Sequence, residues 1–119
     1  FNNAPERHGL FYANSSDSGQ TFSAPVSFGN FKQQAAHPHV LSLGQRVFIV
    51  WKEFDGEATG IYSTRSGDGG KTWSAAERIA FTAGASDHPF LIGDGAKAYL
   101  SWNTVAEGHR VIALPEQNP

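Results

Sequence analysis

The chain has 119 residues, enough for one domain core, with a formal net charge of −2 and only 17% charged residues. That balance leaves no basic field for nucleic acid or an anionic membrane surface. With no cysteine there is neither a disulfide framework nor a thiolate metal site.

Thirteen glycines and 13% aromatics fit an all-β chain with many turns. No apolar run reaches the length of a transmembrane helix, and no signal peptide is visible. The sequence opens on Phe1 and contains no Met, so it reads as a processed product or a piece of a longer protein.

In chain order, the first predicted strand covers about Gly9–Asn14. It runs into Ser15-Ser16-Asp17-Ser18-Gly19-Gln20-Thr21-Phe22, a tight turn between antiparallel strands. Gly19 supplies the positive φ of a sharp turn, and Asp17 and Ser15 can fold their oxygens back onto loop N–H groups. Phe22 is expected to open the next strand with its ring beneath the turn. Pro25 makes that strand an edge. Residues 28–36, with Gly29-Asn30, are expected to cross to the next sheet.

Strands then follow at about Pro38–Leu43, Arg46–Lys52, Gly60–Arg65 and Thr72–Ala80. Val47-Phe48-Ile49-Val50-Trp51 is apolar without interruption, as a strand covered on both faces should be. Between the last two strands stands Ser66-Gly67-Asp68-Gly69-Gly70-Lys71-Thr72-Trp73, the same turn again. Further strands are expected at about Pro89–Ile92, Lys97–Asn103 and His109–Leu114. No helical periodicity is present.

The two turns belong to a longer repeat. A shift of 51 positions brings Gly9 onto Gly60, Ser23-Ala24 onto Ser74-Ala75 and His37-Pro38 onto His88-Pro89. It also brings Gly44 onto Gly95 and Trp51 onto Trp102, with no insertion needed. A period near fifty in a chain of short strands is the signature of propeller blades.

The pattern Ser-x-Asp-x-Gly-x-Thr-aromatic, present twice, resembles the Asp-box, or bacterial neuraminidase repeat, of the sialidase-like β-propellers. The resemblance implies four-stranded antiparallel meanders, about two blades' worth. Residues 9–36 would hold the two outer strands of one blade, residues 37–87 a complete blade, and residues 88–119 three strands of another. The structural set of the motif would be Ser15, Asp17, Gly19, Thr21 and Phe22, then Ser66, Asp68, Gly70, Thr72 and Trp73. One carboxylate per turn is too few for a calcium site. Two blades cannot close a ring, so the chain would either belong to a larger propeller, six-bladed by resemblance, or assemble with copies of itself, three giving six.

In that family the ligand face lies opposite the Asp-boxes. Here it would carry His37, His39, Asp87 and His88 at the strand starts, and Trp51, Lys52, Glu53, Trp102 and Asn103 after the apolar strands. These offer imidazoles, carboxylates and indole faces for a glycan. The bland alternative is that His-Pro starts a strand with its imidazole on backbone, and that the two tryptophans pack between blades. The imidazoles could also meet a transition metal, but they lack ligand spacing, and the sequence assigns no metal or cofactor.

Function stays open between a glycan-binding or exo-glycosidase segment and a non-catalytic structural, protein- or metal-binding module. No catalytic set can be named. Arg7, Arg46, Arg65, Arg78 and Arg110 are scattered, no Arg-Ile-Pro motif is present, and nothing marks Tyr62 as a nucleophile. Asn14-Ser15-Ser16 matches a glycosylation acceptor but overlaps the turn. An extracellular or periplasmic setting is implied by the resemblance alone.

Overall fold

Alternating and continuous apolar runs broken by glycine-bearing turns give strands throughout. The computed structural model describes residues 9–29, 34–84 and 86–115. Within them nine strands form three open antiparallel sheets, and there is no helix. The first sheet pairs β1 (Leu10–Tyr12) with β2 (Val26–Phe28). The second is the meander β3 (Gln34–Leu43), β4 (Arg46–Phe54), β5 (Ala58–Ser66) and β6 (Glu77–Ala83). The third is β7 (Phe90–Gly93), β8 (Ala98–Thr104) and β9 (Gly108–Ala113).

The middle sheet is covered on both faces, which accounts for the unbroken apolar run of β4. Side chains alternate across a strand. Ile49 and Trp51 therefore pack toward the first sheet with Leu10 and Ala35, flanked by Tyr12, Phe28, Tyr62 and Trp73. Phe48 and Val50 pack toward the third sheet with Leu91, Leu100 and Trp102. Trp51 is fully buried and Trp102 nearly so, at equivalent places one repeat apart. Burying such a ring stabilises by several kcal/mol, roughly 3–5 as measured by truncation.

The strand ends depart from the sequence expectations in three places. β2 begins at Val26 and β6 at Glu77, not at the aromatic that ends each turn. Ser74 is committed instead to closing the turn: Ser74 N donates to the Arg65 carbonyl, and Arg65 N donates to Ser74 Oγ. Phe22 does not lie beneath its turn but stands 66% exposed.

β3 is also longer than expected, reaching back to Gln34, so the crossing expected over 28–36 ends before it. Residues 30–33 of that crossing lie outside the described residues, as does Arg7. His-Pro does not start this strand. It forms a bulge within it, between the paired residues Ala36 and His39, with His37 at φ 55. Pro38 has no N–H for the ladder, so the strand must deviate there. In the third sheet, His88-Pro89 does directly precede a strand, β7.

Both repeated turns close through the same bonds. Asp17 Oδ1 accepts from Ser15 Oγ at 2.7 Å and Thr21 N at 2.9 Å, and Oδ2 accepts from Thr21 Oγ1. Asp68 Oδ1 accepts from Ser66 Oγ at 2.7 Å and Thr72 N at 2.9 Å, and Oδ2 accepts from Thr72 Oγ1. Ser15 Oγ takes Gly19 N and Ser66 Oγ takes Gly70 N, each at 2.9 Å. These bonds hold the Asp17 carboxyl down to about 2, with Thr21 the leading cause. Asp68 is lowered further, chiefly by Thr72.

Candidate functional site

Strand direction fixes which side chains meet. In the β4–β5 pairing Val47 faces Ser66, at the turn end, while Phe54 faces Thr59 at the other end. Lys52 and Glu53 therefore sit at the end of the middle sheet opposite the motif turns. Being consecutive on a strand, they point to opposite faces.

Lys52 points toward the third sheet and donates from Nζ to the Ser86 carbonyl at 2.8 Å. Burial lowers its ammonium pKa, while Asp87 acts to raise it. Glu53 points toward the first sheet, is 6% exposed, and accepts from Trp51 Nε1 at 2.7 Å. Trp51 and Glu53 are thus committed to packing rather than to an open face. Trp102 is likewise buried, with Nε1 donating to the Asp87 carbonyl at 3.0 Å and to Ser86 Oγ at 3.2 Å.

The remaining expected site residues converge between the middle and third sheets. His37, swung out by the bulge, stacks on His88 with ring centroids 3.6 Å apart and planes 16° from parallel. Burial holds the His37 imidazole below the usual histidine range, with His88 and then Lys52 adding repulsion. His39 accepts from Leu91 N at Nδ1, 2.6 Å away, and its ring meets Phe90 edge-on. Asn103 and Asp87 bond twice, Asn103 Nδ2 to Asp87 Oδ2 at 3.2 Å and Asp87 N to the Asn103 carbonyl at 3.1 Å.

Ser86, Asp87, Asn103 and Val105 line an open depression of about 180 Å³. The lining groups are hydroxyl, carboxylate and amide, beside a 97%-exposed valine. A larger cavity of about 280 Å³ lies elsewhere, between the first and middle sheets. Tyr12, Phe28, Trp51 and Trp73 line it, and its wall is mostly apolar, which marks a packing gap.

The stacked histidines do not suit a shared metal. Imidazole lone pairs lie in the ring plane, and parallel rings at this separation do not converge on one ion about 2.0–2.1 Å from each nitrogen. Among the described residues no group of three or more histidine, aspartate or glutamate side chains is placed to hold a metal.

The described arginines are engaged elsewhere. Arg46 donates to the Ala96 carbonyl at the turn end, Arg65 pairs with Glu77 at 3.5 Å, and Arg78 lies over Phe81. Arg110 lies over Trp102 and pairs with Glu107 at 3.6 Å. Tyr62 is stacked on Trp51. Sequence reasoning missed Ser86 as a site residue and missed the clamp in which Glu107 Oε1 accepts from Thr82 Oγ1 and Thr104 Oγ1, both at 2.7 Å. Those hydrogen bonds lower the Glu107 pKa, Thr82 first.

Comparison of the chain with protein-family models, with curated proteins and with solved structures returns no match. Geometry carries the functional argument.

Proposed function

We propose that this chain is a segment of an Asp-box β-propeller of the sialidase-like kind, and that it takes a glycan at the end of the sheets opposite the motif turns. The architecture is supported by the four-stranded meander, by a neighbouring sheet that repeats its first three strands 51 residues on, and by the two matching turn networks. The binding role rests on one observation: Ser86, Asp87 and Asn103 gather their polar groups around an open depression there, with Lys52 behind. Paired carboxylate and amide groups offer a hydroxyl-rich ligand both acceptors and donors.

The reading favoured is binding rather than hydrolysis by this segment, because no arginine cluster joins the depression among the described residues. A glycan array with the whole chain, followed by titration of any hit, tests it. Asp87→Ala should weaken binding at least about tenfold, the loss of a charge-assisted hydrogen bond. An array with no hit removes the proposal. A fluorogenic sialoside supplies the enzymatic arm: release of fluorophore at high protein concentration would replace binding by catalysis.

A second reading has its own support. Phe90, Ile92 and Val111 on the third sheet are 57%, 48% and 57% exposed, and Val26 on the first is 62% exposed. Apolar sheet faces of this kind seek a covering layer. The chain therefore assembles with further blades, its own copies or others, in a heterologous ring.

A further inference from the structure

Beside its apolar core, the contact between the middle and third sheets carries three imidazoles in two contacts. His37 stacks on His88, and His39 receives the Leu91 amide. Around them, β4 contributes Lys52, the segment before β7 contributes Asp87 and His88, and β3 contributes His37 and His39. β7 brings no titratable side chain of its own. At the far end of the contact, Arg46 donates to the Ala96 carbonyl beside Asp94.

These contacts differ in how they respond to a proton. An imidazole that accepts at Nδ1 has no proton there, while an imidazolium carries one on both nitrogens and cannot accept. Two imidazolium rings in a parallel stack repel, and the ammonium of Lys52 adds to that field while Asp87 opposes it. Lys52 is itself tied to the Ser86 carbonyl, so loss of the histidine contacts leaves that bond to hold the site end of the contact.

We infer that the Lys52 end of the seam between the second and third sheets is a pH-gated latch, closed while His37 is neutral against His88 and loosened when His37 takes up a proton, the apolar core of Phe48, Val50, Leu91 and Leu100 staying packed. The inference does not rest on the glycan reading. Ser86, Asp87 and Asn103 all lie on the third-sheet side of this seam, so loosening it would draw Lys52 away from the Ser86 carbonyl while leaving the lining of the depression together. His37 gives the sign. With its folded pKa below the ordinary value of about 6.5, it adds stability in full above that value and loses it as pH falls through the folded one.

The test is amide exchange followed by NMR on the whole chain at pH 7.5 and 5.0, corrected for intrinsic rates. Protection of the Leu91 amide, which bonds across the seam to His39, should fall at least about tenfold at pH 5.0. The Val50 and Ser63 amides within the middle sheet should hold. In the double variant His37→Asn, His39→Asn, asparagine tolerates the positive φ at 37 and keeps an acceptor at 39, so protection should become equal at the two pH values. Equal protection in the unchanged chain, or an unchanged response in the double variant, would overturn the latch. Should the double variant fail to fold, His88→Gln decides: a response as large as the parent's overturns the inference, and a smaller one supports it.

Discussion

Ser18 stands at φ 61 where the second turn has Gly69 at φ 75. A left-handed backbone costs a residue with a Cβ about 1–2 kcal/mol, and glycine returns part of that through its looser unfolded state. Ser18→Gly should therefore raise stability by about 0.5–1 kcal/mol in urea denaturation. Gly70→Ala should lower it, because the φ is 94 and the added methyl would collide with the Tyr12 hydroxyl.

The turn aspartates set an acid limit. Their folded pKa values lie below the unfolded one, so their contribution is present above about pH 4 and lost as pH falls through about 2 for Asp17 and lower for Asp68. Thermal melts between pH 5 and 2 should show Asp68→Asn less stable than the parent at pH 5, with the difference narrowing toward pH 2. This network was legible in the sequence because every partner lies within four residues. The fate of the aromatic was not. Trp73 has Tyr12 of the preceding sheet against it and an indole N–H bonded to the Gly70 carbonyl, whereas Phe22 has no donor and faces water.

Among the strands, β4 was read correctly as covered on both sides, since only a doubly buried strand tolerates five apolar residues in a row. Trp51→Ala should cost about 3–5 kcal/mol and Trp102→Ala a similar amount, read by chemical denaturation. Both values rival the whole stability of a small domain, so loss of folding is an acceptable outcome and full stability is not. The bulge at His37 was beyond sequence reasoning. Whether a His-Pro starts a strand or interrupts one depends on how far the ladder continues upstream, and Ala35 and Ala36 carry no signal about that. The Glu107 clamp was hidden for a related reason, its partner Thr82 lying 25 residues away on another sheet.

For the whole molecule, the exposed apolar faces predict association. Sedimentation should give a mass above that of one chain, dependent on concentration, and Val111→Asp should shift it toward the single-chain value without unfolding the chain. A compact single-chain species at all concentrations would defeat the assembly reading. Three sheets in series were visible beforehand in the gap-free repeat, but the pairing of side chains across their faces was not, because periodicity gives strand direction and leaves the partner sheet unnamed.

Consecutive residues of β4 serve different neighbours, odd positions one layer and even positions the other. Inserting one residue within β4, between Ile49 and Val50, would consequently do more than add slack. It would exchange the clientele of every later position at once, driving the Glu53 carboxylate into the seam that Lys52 now occupies and turning Trp51 away from Leu10. A change of strand length thus disturbs both layers where a single substitution disturbs one, which is a mechanical reason for a spacing kept to the residue across the two copies.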